Sequence, residues 1–113
     1  MENCIFCSIV AGDTGAIVWE NDVAVAFETI SPKAPVHLLV VPRTHVKNID
    51  ALEDVTLAGQ LLMAVRELNR KYGIVEANKI LVSGKEVDHL HIHVMSDSRY
   101  KKIDKNAFLE YSS

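Results

Sequence analysis

Three histidines, His89, His91 and His93, stand two residues apart within residues 88–95, with Leu90, Ile92 and Val94 between them. Imidazole changes charge near neutral pH and can act as nucleophile, proton carrier or metal ligand. Three of them in one short stretch are the strongest chemical signal in the chain. Strict alternation is the pattern of a half-buried strand, whose side chains point to opposite faces in turn. The spacing therefore predicts a strand over 88–95, with the aliphatic residues in the core and the imidazoles sharing one face. Two residues of strand span roughly 6.5 Å, so neighbouring rings can act on one small group. The pattern H-x-H on a strand is also a common way to hold a metal, and the two readings call for different partners elsewhere.

Such partners exist. Cys4 and Cys7 form C-x-x-C near the start, and His37 and His45 lie in the middle of the chain. A reduced C-x-x-C is half of a zinc site, a redox pair, or two buried thiols without a task. The motif alone is weak and gains force only if two further ligands join it; the histidines are candidates. His37 opens an aliphatic run beside a proline loop, and taken alone it reads as structural.

The elements that must position these side chains follow from pattern and punctuation. Residues 4–10 form a short apolar helical turn ending at Ala11-Gly12-Asp13. Residues 16–20 and 23–28 read as two strands around a turn at Asn21-Asp22, with Trp19 as packing. Ser31-Pro32-Lys33-Ala34-Pro35 breaks any regular element, because each proline removes a donor and restricts its predecessor. A strand over 36–41 follows. From about Asp50 to Tyr72, Leu57, Leu61, Val65, Leu68 and Tyr72 recur at helical steps. Asp50 or Asp54 can cap that helix, and Gly73 is a natural stop. Residues 79–82 give a further strand, joined by a turn at Ser83-Gly84-Lys85-Glu86 to the histidine strand as an antiparallel neighbour. Strands with one main helix in this order make an α+β fold with an antiparallel sheet.

The chain as a whole narrows the function classes. Its 113 residues suit one domain, residues 1–113, large enough for a single core. Apolar content of 49% with 24% charged residues is that of an ordinary globular protein. A formal net charge of −3 offers no basic excess to displace counterions, which argues against a nucleic-acid polymer as partner. No apolar run approaches the ~20 residues needed to span a bilayer. The first residues lack the basic flank and apolar stretch of a secretory signal, so a reducing cytoplasm without a structural disulfide is expected.

With these segments in view, the chain resembles the histidine triad (HIT) family, whose motif H-φ-H-φ-H-φ-φ (φ apolar) is matched by residues 89–95. The likeness continues in Cys-Ile-Phe-Cys-Ser-Ile-Val at 4–10, in residues 19–37 from Trp19 through Phe27-Glu-Thr-Ile-Ser-Pro to His37, and in Val-Pro-Arg-Thr-His45. It covers residues 4–95 in order and points to the Hint-like, bacterial branch. The resemblance implies a five-stranded antiparallel sheet with one long helix and a short N-terminal helix. It also implies a homodimer paired through the long helix and a neighbouring strand.

The resemblance further implies a purine nucleotide as ligand, its α-phosphate among the histidines. His91 is then the nucleophile, forming a nucleotidyl-imidazole and releasing an amine, sulfate or phosphate. His93 donates to a phosphate oxygen, and His37 sits on the sugar-phosphate side. Ile5, Phe6, Ile9, Phe27 and Ile30 match the base slot, with Thr29, Ser83 and Lys85 as further nucleotide contacts. In zinc-bearing relatives the matching ligands are Cys4, Cys7, His45 and His89, a closed structural zinc site without an open position. This chain departs from the pattern in three places. Thr29 stands where an acidic residue usually holds the ribose hydroxyls. The loop 83–86 is short and carries Lys85 and Glu86 in place of polar donors. Met95-Ser96 lacks the Pro-Arg that often follows the triad. These departures keep a second function open: a zinc-stabilised nucleotide-binding or scaffold protein with weak or lost catalysis. A third, a metalloenzyme with its metal on His91 and His93, is the least favoured.

Overall fold

A computed structural model describes residues 4–12, 17–82 and 87–100 of the chain. Its elements are α1 (Ile5–Val10), β1 (Ile17–Glu20), β2 (Ala24–Glu28), β3 (His37–Pro42), α2 (Val55–Lys71), β4 (Asn78–Val82) and β5 (Ile92–Ser96), with one 3-10 turn at Ile49–Ala51. The strands form one antiparallel five-stranded sheet in the order β1-β2-β3-β5-β4. β3, an unbroken aliphatic run buried along its length, lies at the centre, and β1 and β4 are the edges.

Period-two alternation divides the sheet into two faces with different tasks. Ala24, Ala26, Leu38, Val40, Ile92 and Val94 point to one face and pack against Leu61, Ala64, Val65 and Leu68 of α2. Val25, Phe27, Leu39 and Val41 point to the other, against Phe6 and Ile9 of α1. By the same parity His37 and His93 belong to the α1 face. His93 pairs with Leu39 and His37 with Met95, which makes the two histidines diagonal neighbours across β3 and β5.

The sequence reading holds for the sheet and needs correction at two boundaries. The helix expected over 50–72 is interrupted: a 3-10 turn covers Ile49–Ala51, and α2 begins at Val55. Two caps explain the break. Asn48 receives the Ala51 N–H at 3.0 Å and Asp54 the Leu57 N–H at 3.1 Å, so each side chain starts its own element. Gly73, at φ +68°, ends α2 as expected. The second correction concerns the histidine strand, which starts only at Ile92. His89 and His91 precede it in an irregular segment, tied to the chain after β3 by Leu90 N–H donating to the Val46 carbonyl at 2.6 Å. Leu90, Ile92 and Val94 do enter the core. The expected turn at Ser83–Glu86 lies outside the described residues.

Candidate functional site

The α1 face carries two adjoining centres. The first gathers Cys4, Cys7, His45 and His89, whose ligand atoms all lie within 4.8 Å of one another. Cys4 caps α1 and Cys7 follows one turn later, so the helix turns both sulfurs the same way. His89 Nδ1 stands 3.3 Å from Cys4 Sγ and 3.5 Å from Cys7 Sγ, and His45 Nδ1 stands 3.2 Å from Cys7 Sγ. Zinc–sulfur and zinc–nitrogen bonds in a tetrahedron put sulfur and nitrogen roughly 3.5 Å apart, so the spacing fits a zinc-sized ion.

The protonation pattern fits as well. His89 Nε2 lies 2.9 Å from the Pro42 carbonyl, which can only accept. The proton of a neutral ring is therefore on Nε2 and the lone pair on Nδ1, facing the sulfurs. Burial holds the His89 pKa below the usual histidine value, which keeps the ring neutral, as a ligand must be. Burial and the neighbouring Cys4 push the Cys7 thiol up, and a cation at the centre would act against this by favouring the thiolate. The donor set suits a closed, structural metal site.

The second centre is His91, His93 and His37. His91 Nδ1 donates to the His89 carbonyl at 2.8 Å, leaving the lone pair of a neutral ring on Nε2. The Lys33 backbone N–H donates to His37 Nδ1 at 3.0 Å, and His37 Nε2 lies 2.8 Å from His93 Nδ1. Since Lys33 N–H can only donate, a neutral His37 carries its proton on Nε2 and donates to His93. A neutral His93 then carries its own proton on Nε2, as a donor for a ligand oxygen. The His91 and His93 rings are 5.3 Å apart.

Beside them opens a cavity of about 710 Å³, a size typical of small-ligand sites. Ile5, Phe6, Ile9, Phe27 and Ile30 line it, as the resemblance implies, together with Thr29, His37 and His93. Phe6 joins the two centres, its ring 5.3 Å from Phe27, 5.2 Å from His91 and 6.0 Å from His89. His91 itself is 1% exposed, its ring 5.2 Å from Phe6 and 5.3 Å from His93, and is not among the residues lining the cavity. The three triad rings thus do not share one task-bearing face: His89 turns to the sulfurs, His93 lines the cavity, and His91 lies buried beside it, the two rings 5.3 Å apart. Ser83 and Lys85 lie outside the described residues.

Leu39 and Val87 complete the apolar wall, and Glu28, Ser31 and Lys33 its polar rim; none was singled out in the sequence. Leu39 could have been, since it shares strand parity with His37. The Lys33 contribution to His37 comes from its backbone and leaves no signal in residue type.

Comparison with known proteins agrees with this fold. Residues 12–100 match the HIT domain. Protein HitA of Neisseria gonorrhoeae is 39% identical over 103 residues, 84% of this chain and 96% of its own. Protein hit of Bacillus subtilis is 37% identical over 112 residues, 91% of this chain and 75% of its own. Among solved structures, a HIT family hydrolase from Legionella pneumophila superposes with TM-score 0.80 at 28% identity, covering 93% of this chain and 99% of that one. A zinc-bound histidine triad family protein from Mycobacterium smegmatis gives TM-score 0.75 at 26% identity, covering 92% of this chain and 81% of that one.

Proposed function

The chain belongs to the HIT family, and on that footing we propose that it is a purine nucleotide hydrolase of the phosphoramidase type, forming a nucleotidyl-histidine intermediate. The observation that carries the reading is the set of three tautomer-setting hydrogen bonds. The His89 carbonyl leaves His91 Nε2 as the attacking nitrogen, and the Lys33–His37–His93 chain leaves His93 Nε2–H as a donor at the cavity.

In this reading the base enters between Phe6, Ile9 and Phe27, the sugar passes Thr29, and the α-phosphate meets the histidines. His91 Nε2 attacks phosphorus, and the bond from phosphorus to the amine, sulfate or phosphate breaks, with a proton going to that group. Water then attacks phosphorus and loses a proton to solvent, and the phosphorus–nitrogen bond breaks, releasing the nucleoside monophosphate and restoring the imidazole. His93 donates to a non-bridging oxygen on which charge develops. Cys4, Cys7, His45 and His89 hold a structural zinc ion that fastens α1 to the segment before β5. Residues 1–113 act as one domain, and the working unit is a homodimer.

A second reading, a zinc-stabilised nucleotide-binding or scaffold protein with weak or lost catalysis, is favoured by one observation: His91 is buried to 1% exposure. One experiment separates the two. Wild type and His91→Ala are incubated with a fluorogenic adenosine 5′-phosphoramidate, and quenched wild type is searched for an adenylylated histidine. The enzyme reading expects an adduct on His91 and a loss of roughly 10³-fold or more in the variant, the scale of removing a nucleophile. Equal, slow release by both proteins with no adduct establishes the second reading.

A further inference from the structure

The two centres share one mechanical support. α1 has six residues, too few to hold a helix without tertiary anchors. Phe6 and Ile9 reach into the core beneath it, and Cys4 and Cys7 reach the histidine cluster. The same helix supplies Ile5, Phe6 and Ile9 to the cavity wall. His89 receives the cysteines at its ring and holds His91 through its backbone carbonyl. The state of the sulfurs thus bears on the ligand wall and on the nucleophile together. Both cysteines are free and only half-buried, so small oxidants can reach them. Their spacing, one helical turn with Cys7 N–H donating to Cys4 Sγ at 3.3 Å, is that of a redox pair.

We propose that Cys4 and Cys7 form a redox-sensitive clasp: their oxidation to a disulfide by a peroxide expels the metal, releases α1 from His89 and switches nucleotide binding and transfer off. In the step, the two thiolates give up two electrons and a sulfur–sulfur bond forms. The peroxide O–O bond breaks and, with two protons taken up, hydrogen peroxide leaves as two waters. The metal departs as the dication, its oxidation state unchanged. With the sulfurs joined to each other, His45 and His89 retain two nitrogens, too few for a closed tetrahedral site. A dithiol reductant with fresh zinc reverses the change. The inference rests on the nucleotide reading above for its ligand, and on the cysteine–histidine geometry for the switch.

The test uses the reduced, zinc-loaded protein treated with hydrogen peroxide. Zinc release is followed with a chromophoric chelator, thiols are counted, AMP affinity is measured by calorimetry, and phosphoramidate cleavage is timed. Expected are one zinc released for each pair of thiols lost, AMP affinity and cleavage both lower by about 10- to 100-fold, and recovery on adding dithiothreitol with zinc. Recovery separates the clasp from irreversible damage to other side chains. Loss of zinc and thiols with AMP affinity and cleavage unchanged overturns the proposal. So does retention of zinc and both thiols under excess peroxide. Failure of the nucleotide reading shows itself separately, as reduced, zinc-loaded protein that neither binds AMP nor cleaves the phosphoramidate.

Discussion

At the scale of single residues, the proposed chemistry depends on one proton being assigned to each of four rings. A histidine is ambiguous until its second nitrogen has a partner of known sense. The Pro42 and His89 carbonyls can only accept and the Lys33 N–H can only donate, so three backbone groups set the tautomers of four histidines. His37 is a positioning residue in this scheme, since it acts on His93. For His37→Phe, which removes the donor to His93 Nδ1 while keeping a ring, we expect kcat to fall about 10- to 100-fold with AMP affinity nearly unchanged. Steady-state kinetics alongside calorimetry check this. A variant that loses affinity and keeps kcat would place His37 in binding instead.

At the scale of elements, α2 is the counterweight that holds the sheet from behind. Asp54 starts it and Leu61, Ala64, Val65 and Leu68 bury its inner stripe. Replacing the cap by Asp54→Ala should cost about 1 kcal/mol, read as a fall in Tm of roughly 5 °C, with no effect on nucleotide affinity. Tyr72 closes the helix, and burial with the nearby Glu28 raises its pKa above the ordinary tyrosine value. Its native phenol therefore keeps a proton that the unfolded chain gives up above pH ~10. Stability from this source is complete below that pH and is lost as pH rises through the native pKa. Denaturant melts between pH 9 and 11 should show the decline, and Tyr72→Phe should flatten it. An unaltered slope in the variant would assign the decline to other groups.

At the scale of the whole molecule, several large apolar side chains stay exposed. Edge strand β4 exposes Ile80, Leu81 and Val82, and α2 exposes Leu62 and Met63. An exposed apolar edge strand is an open template for another strand, which a second copy of the chain would cover. Sedimentation should therefore give a dimer for the wild type. Leu81→Asp should shift it to monomer at micromolar concentration, by placing an unpaired charge at the interface. Wild type that sediments as a monomer refutes the homodimer. Among the described residues, no helix is long and apolar enough to cross a membrane.

Much of this protein was legible in its residues because the code involved is local. Period-two and period-3.6 patterns follow from backbone geometry alone, so the strands, the main helix and the aliphatic core could be read directly. Gly73 marked the end of α2 for the same reason, and of the two caps offered, Asp50 and Asp54, the structure uses Asp54. The resemblance to HIT proteins then grouped Cys4, Cys7, His45 and His89 before any coordinates, and the structure brings those four together. Where the reading of the histidine strand failed, the cause was non-local. His89 and His91 looked like strand residues, but Leu90 N–H bonds to Val46, His89 stands against sulfurs 85 and 82 positions away, and the ladder begins only at Ile92. Residue types could say that imidazoles were present. Which nitrogen carries each proton, and which ring faces sulfur or cavity, depended on carbonyls and N–H groups that every residue possesses and that only folding puts in place.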